Sequence, residues 1–262
     1  DTMAWWARSG LMDIVRPSDN SAPANPPIGM GDQPTGVALF ASIMTALYRR
    51  EKTGKGGEVH TSLMANGAWS NGSFIQAGLF GAHFTERKEP SPLHPFGGRY
   101  RTKDNRYLIL AIIDANKEWP KLLKALDIEY LNEDPRFSSF KKMNENFTIL
   151  YEELEKIFIQ YSLKEITEKL RFSEVTFGIL SHSNDHSKDQ QFIESEVLVK
   201  FDEGSFDEDF FTVNSPIFLE NESKKIPTKA PKLGEHTKEI LSSLGQDEEE
   251  IAQLKQDGII DF

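Results

Sequence analysis

A chain of 262 residues, 38% hydrophobic and with 18 Phe, can form a substantial core in one large domain or two small ones. It contains no Cys, which excludes disulfides, thiolate metal ligands and a Cys nucleophile. The net charge of −11 falls entirely on residues 98–262, because residues 1–97 carry 8 basic and 8 acidic residues. This distribution argues against a nucleic-acid partner and makes the neutral first part the better host for an anionic ligand.

The sequence also argues against a membrane protein. It has no run of about 18 apolar residues, and its start does not resemble a signal peptide. Together with the absence of Cys, this pattern predicts a cytoplasmic protein without a membrane partner.

The first part of the chain is predicted to be mostly helical. Residues 1–12 form a helix, and residues 16–30, rich in Pro, form an extended loop. Residues 37–50 are apolar almost all round, which predicts a buried helix. Residues 58–63 are predicted as a strand. Residues 64–79 contain many small side chains, which predicts close packing against neighbouring backbone.

The second part is predicted to mix helices with short strands. A hairpin turns at Asp104 and Asn105, and Ser162 with Glu165 forms a capping box at a helix start. Helices are predicted at residues 118–126, 146–161, 163–171, 235–244 and 247–256, and strands at residues 177–181, 197–201 and 210–213. Helices followed by strands and hairpins are typical of an α+β unit.

Asp32 is the main candidate for chemistry. It follows Gly31 and precedes the long apolar helix, with Pro34 two residues on. Asp is a favoured N-cap and Pro suits a first turn, so a purely structural role is possible. The alternative is a carboxylate favoured by the helix's partial positive charge and exposed to a reacting group.

Three other segments invite functional interpretations. Residues 53–57, after Arg49 and Arg50, lack a phosphate-loop pattern and follow a helix, which favours a helix stop. His182, Asp185 and His186 lie in a polar, turn-like run, which argues against a metal site. Gly97 and Gly98 form either a flexible domain junction or a backbone loop that closes over the reaction centre.

Several motifs, in order along the chain, resemble the class III CoA-transferase family (CaiB/BaiF). They are residues 31–36 (GDQPTG), 46–57 (ALYRREKTGKGG), 59–63 (VHTSL), 99–104 (RYRTKD), 134–137 (DPRF) and 230–237 (APKLGEHT). The resemblance extends from about Trp5 to about Ile260. No single motif is decisive, but their order is specific.

The resemblance implies an α/β fold from which the family's N-terminal part is missing. Residues 1–84 then form the C-terminal part of a Rossmann-like, CoA-binding large domain, and residues 85–97 form a linker. Residues 98–213 form a smaller α+β domain, and residues 214–262 return to the large domain. The family forms interlocked homodimers, so a homodimer is expected of the full-length protein.

The same resemblance implies that Asp32 is the catalytic carboxylate of a CoA transfer between an acyl-CoA thioester and a carboxylic acid. The reaction passes through an aspartyl anhydride and an aspartyl-CoA thioester, with CoA as substrate and without a permanently bound cofactor or metal. Backbone N–H groups around Gly31, Gly97 and Gly98 are the expected substrate-binding groups.

Two alternatives remain open. The α-methylacyl-CoA racemases resemble this chain too, and in them the matching Asp moves a proton together with a His that lies outside this sequence. A non-enzymatic acidic interaction module is the other, although the Asp32 element and the apolar helix argue against it.

Overall fold

The computed structural model describes residues 1–88, 93–202, 204, 206 and 210–261. The chain divides into two compact units, Asp1–Gly178 and Ile179–Phe262. Residues 89–92 of the predicted linker lie outside the described residues, and the division into segments that end at residues 84, 97 and 213 stays a prediction. None of the described helices combines the length and the apolar character that a bilayer crossing needs.

The start of the first unit is helical. Its elements are a π-helical turn Thr2–Ala7, α1 Leu11–Ile14, α2 Asp32–Thr53, α3 Leu63–Ser70 and α4 Gly72–Leu79. The predicted helix over residues 1–12 is therefore two short pieces, because Gly10 adopts a left-handed conformation (φ 82°) between them. Trp5 and Trp6 are buried in the first piece, which packs against α3.

Helix α2 departs from the prediction that it is buried. It packs against α3, yet none of its residues is buried, and Val37, Phe40 and Met44 are 46%, 46% and 47% exposed. A helix that is apolar all round needs cover on several sides, and among the described elements α3 covers only one side. The helix ends as predicted at Gly54, whose left-handed backbone donates its N–H to the carbonyl of Arg50.

The strand predicted over residues 58–63 is wrong. These residues form no ladder with any described strand, and α3 begins at Leu63, where Ser62 Oγ accepts the N–H of Ala65. Strand propensity gives a strand only where a partner pairs with it. The expected close packing of small residues is confirmed at Gly67, where a Cβ would clash with the carbonyl oxygen of Trp5, but not at Gly72.

Between residues 99 and 180, helices pack on a three-stranded sheet of order β1-β2-β3. The elements are β1 Arg99–Arg101, β2 Tyr107–Leu110, α5 Ala115–Leu126, a 3-10 turn Glu129–Asn132, α6 Phe140–Glu145, α7 Phe147–Phe158, α8 Leu163–Phe172 and β3 Phe177–Leu180. The predicted hairpin is confirmed, with Tyr100 opposite Leu108 in the antiparallel register. The Ser162–Glu165 capping box is confirmed as well. Helix α6 was not predicted.

The main hydrophobic core lies in this region. Fully buried side chains from the sheet and from α5, α7 and α8 meet there, among them Tyr100, Leu108, Leu110, Leu122, Leu126, Leu150, Leu154, Phe158, Ile166 and Leu170. Residues 1–88 contribute none of this core.

The second unit contains a two-stranded antiparallel sheet and short helices. Its elements are a 3-10 turn His186–Lys188, α9 Gln190–Glu194, β4 Leu198–Lys200, β5 Phe211–Val213, α10 Thr237–Ser243 and α11 Glu248–Gln256. Val199 lies opposite Thr212 in the sheet. Both helices predicted for the tail are present, and α11 starts at an Asp247–Glu250 capping box.

Candidate active site

Asp32 is the first residue of α2, not its N-cap. Gly31, which has no side chain, occupies the N-cap position, so α2 begins without a side-chain cap. The side chain is 58% exposed. A carboxylate in the first turn of a 22-residue helix is favoured by the helix dipole. The capping interpretation of Asp32 is thus wrong, and its carboxylate is accessible to a reacting group.

The turn before Asp32 is held by the carboxylate of Asp1. Gly29 N–H donates to Oδ2 of Asp1 at 2.6 Å, and Gly31 N–H donates to Oδ1 at 2.9 Å. The main-chain nitrogen of Asp1 also lies 3.7 Å from Oδ1 of Asp32. Because the N–H of Gly31 already has an acceptor, a substrate oxyanion at Gly31 would compete with Asp1 for it.

An open cavity of about 520 Å³ lies beside Asp32. Its walls are the first turns of α2, with Thr35, Gly36 and Leu39, and the segment from Val59 to Leu63. His60, Thr61 and Ser62 thus line the same cavity as Asp32, and none of the three is among the site residues expected from the sequence. The signal available in the sequence is a run of three polar side chains between two apolar residues, Val59 and Leu63.

Gly98 is packed against Tyr151. A Cβ on Gly98 would lie 2.6 Å from Cε2 of Tyr151 and 3.0 Å from the carbonyl oxygen of His94, whereas a Cβ on Gly97 would meet nothing within 4 Å. Gly98 is buried and its carbonyl accepts the N–H of Leu110. A flexible-junction interpretation therefore does not apply to Gly98.

The turn that carries these glycines is fixed by aromatic contacts. His94 stacks on Phe147, and the Tyr151 hydroxyl donates to the carbonyl of Arg99 at 2.6 Å. Partial burial, aided by the nearby Glu155, raises the pKa of Tyr151 to about 12, so its hydroxyl stays a donor. Among residues 1–88 and 93–178, no hydrogen bond or ion pair joins Gly97 or Gly98 to Asp32, and their substrate-binding role stays a prediction.

An ionic network joins Arg87 to α1 and to the loop that follows it. Arg87 binds Asp19 through Nε at 2.8 Å and Nη2 at 2.7 Å, and Asp13 through Nη2 at 3.0 Å. Hydrogen bonds from Arg87 hold the pKa of Asp19 below its usual range, and Asp19 raises the pKa of Arg87. These three residues also line a cavity of about 640 Å³, with Phe74 and Phe84 as its apolar walls.

The two other segments form a helix end and a local turn. Residues 54–57 follow the C-terminus of α2, where carbonyl groups disfavour an anion. His182 and Asp185 form a local turn, in which the N–H of His182 donates to Oδ2 of Asp185 at 2.7 Å. No group of three potential metal ligands occurs within the part of the chain that the structure describes.

Comparison with known proteins places the chain in a family. The model of CoA-transferase family III matches residues 1–237. The (R)-2-hydroxy-4-methylpentanoate CoA-transferase of Clostridioides difficile is 32% identical over 100% of this chain and 65% of its own length. The cinnamoyl-CoA:phenyllactate CoA-transferase of Clostridium sporogenes is 25% identical over 98% of this chain and 63% of its own length. The chain thus spans less than two thirds of either relative.

The fold has a match among solved structures too. A CaiB/BaiF family protein from Brucella suis superimposes with a TM-score of 0.76 and 22% identity, over 91% of this chain and 61% of that chain. At this identity the match supports the fold alone, and the fold agrees with the mixed α/β architecture predicted from the sequence. On the strength of the family match over residues 1–237, the chain belongs to CoA-transferase family III.

Proposed function

We propose that this chain is part of a longer enzyme that transfers coenzyme A between an acyl-CoA thioester and a carboxylic acid. Asp32 is its nucleophile. The observation that carries the proposal is an exposed carboxylate at the start of α2, facing a cavity, in a chain of this family. The family's N-terminal part precedes Asp1 in that enzyme, and the enzyme works as a homodimer.

The chemistry needs a carboxylate that can be acylated and then released. An oxygen of Asp32 attacks the thioester carbonyl, the C–S bond breaks, and CoA leaves as the thiolate. The thiolate then attacks Cγ of Asp32 in the mixed anhydride, which expels the donor acid and leaves an aspartyl-CoA thioester. The acceptor carboxylate attacks this thioester, CoA leaves again as the thiolate, and its attack on the new acyl group releases the product and restores Asp32.

The position of Asp32 suits this sequence of steps. Asp32 is not the N-cap residue of α2, so acylation does not remove an N-cap side chain from the helix. The helix dipole favours the negative charge each time the carboxylate is released. Water would hydrolyse the anhydride, so the exposed side of the site has to be covered in the complete enzyme.

Relatives suggest which acids to try first. The names of the two transferases described above include (R)-2-hydroxy-4-methylpentanoate and phenyllactate, both 2-hydroxy acids. We propose a 2-hydroxy acid as acceptor, with His60, Thr61 and Ser62 as the polar side chains nearest to it in the cavity. Comparing each 2-hydroxy acid with its analogue that lacks the hydroxyl tests this choice.

Trapping on the full-length protein tests the nucleophile. Incubation with acyl-CoA and hydroxylamine converts an acylated Asp32 to a hydroxamate, which mass spectrometry locates. Asp32→Asn abolishes both the hydroxamate and the transfer to a free acid. If Asp32→Asn keeps most of the wild-type transfer rate, the proposal is contradicted. If the wild-type enzyme instead incorporates deuterium at the α-carbon of a 2-methylacyl-CoA and transfers no CoA, the result supports a racemase.

A further inference from the structure

The carboxylate of Asp1 is enclosed by the turn that precedes Asp32. Its side chain is only 9% exposed, and its two oxygens accept the N–H groups of Gly29 and Gly31. Gly29 adopts a left-handed conformation (φ 85°) and Gly31 a right-handed one. Alternating conformations of this kind turn nearby N–H groups to one side and create an anion-binding concavity. Here the bound anion is the carboxylate of Asp1.

The other side of this turn packs on Trp5. A Cβ on Gly31 would clash with Cγ of Trp5 and with Oδ1 of Asp1, so only glycine fits. Trp5 is buried, and its Nε1–H donates to Oδ1 of Asn66 on α3 at 3.2 Å. A Cβ on Gly67, also on α3, would clash with the carbonyl oxygen of Trp5. The ring is therefore fixed between α3 and the turn.

Asp32 itself is less restrained. It is mostly exposed, it is not the N-cap of its helix, and Oδ1 of its side chain lies 3.7 Å from the main-chain nitrogen of Asp1, so the direction of its carboxylate depends on the backbone at Gly31. That backbone is fixed by one carboxylate and one indole ring, both supplied by the first five residues of the chain.

We infer that Asp1 is a positioning residue for the transfer reaction: its carboxylate holds the Gly29–Gly31 turn so that Asp32 points at the thioester. The inference rests on the proposed function of Asp32. Asp1 does not react itself, because both of its oxygens are bonded to backbone N–H groups. Removing one of these bonds lets the turn relax, and displacement of a reacting group by about 1 Å costs on the order of 100-fold in rate.

The test is Asp1→Asn in the full-length protein, because this substitution keeps the shape but places an NH2 group against one of the two N–H donors. Asp127→Asn is the matched control. Asp127 is an exposed carboxylate that pairs with Lys169 at 3.0 Å, and its left-handed conformation (φ 57°) suits Asn. We expect Asp1→Asn to lower kcat about 10- to 100-fold, with KM for acyl-CoA unchanged within two-fold.

Two further measurements separate positioning from general damage and from failure of the proposed function. Amide hydrogen exchange of a peptide covering residues 28–32 accelerates in Asp1→Asn, while the melting temperature stays near that of the control. If Asp32→Asn abolishes transfer and Asp1→Asn keeps kcat within two-fold, Asp1 does not position Asp32. If Asp32→Asn keeps its transfer rate, the proposed function is wrong, and the exchange result then reports only on the turn.

Discussion

The aromatic ring of Tyr151 occupies the space where a side chain at Gly98 would begin. A Cβ there would lie 2.6 Å from Cε2 of Tyr151, and the hydroxyl of the same ring donates to the carbonyl of Arg99 at 2.6 Å. Tyr151 also packs against Tyr100, with ring centroids 5.1 Å apart. The ring therefore joins the turn at Gly98 to the core of the small sheet.

Gly98→Ala is expected to destabilise the protein. The new methyl group has to move either the Tyr151 ring or the turn, and overpacking of a core costs typically ~1–3 kcal/mol in the free energy of unfolding. Gly97→Ala is the matched control, since Gly97 is exposed and a Cβ there meets nothing within 4 Å. Urea denaturation of both variants measures the difference, and equal midpoints would refute the packing argument.

Asp32→Ala is expected to leave the fold almost intact while it removes transfer. Asp32 is not the N-cap of α2, so the expected loss is chiefly the helix-dipole interaction, ~0.3–1 kcal/mol. Thermal unfolding of the full-length variant measures this loss beside the transfer assay. A destabilisation of ~2 kcal/mol or more would reveal a structural role for the carboxylate.

Local sequence signals predict the structural elements that depend on residues close together in sequence. The hairpin at Asn105, the Ser162–Glu165 capping box and the stop at Gly54 each depend on residues a few positions apart, and all three are confirmed. The family resemblance, carried by motifs such as that around Asp32, is confirmed by the match over residues 1–237.

The errors arise where partners distant in sequence decide the outcome. Residues 58–63 have strand-like composition but pair with none of the described strands, and among the described residues α2 has too few neighbours to bury its apolar surface. The hydrogen bond from the N–H of Gly31 to the carboxylate of Asp1 joins residues 30 positions apart, and no local sequence pattern predicts it. The sequence motif identifies Asp32. Its exposure and its place after the N-cap can be seen only in the folded structure.

The pairing of Arg87 with Asp19 is expected to make stability depend on pH. Hydrogen bonds from Arg87 lower the pKa of Asp19 from 3.8 in the folded state. A lowered pKa contributes stability that is present above the unfolded value and is lost as pH falls through the folded value. Asp19→Asn therefore lowers stability at neutral pH, and its difference from the wild type shrinks as the pH falls below about 4.

Urea denaturation between neutral pH and about pH 3 measures this dependence. Asp257→Asn is a suitable control, because Asp257 is an exposed carboxylate whose side-chain contact is an amide group of Gln253 at 2.8 Å. The control is expected to show no comparable change with pH. A difference between Asp19→Asn and the wild type that stays constant over the whole range would contradict a role for the Arg87 pair.

The exposed apolar face of α2 is expected to make the isolated 262-residue chain self-associate and bind CoA weakly or not at all. Val37, Phe40 and Met44 are each nearly half exposed on one helix, and an apolar patch of more than a few hundred Å² is rare on a stable monomer. Light scattering measures the association. Phe40→Glu reduces it, whereas Phe172→Glu, at an 88% exposed Phe at the end of α8, leaves it unchanged. Titration calorimetry with CoA is the second measurement, and a monodisperse monomer with a micromolar dissociation constant would overturn both expectations.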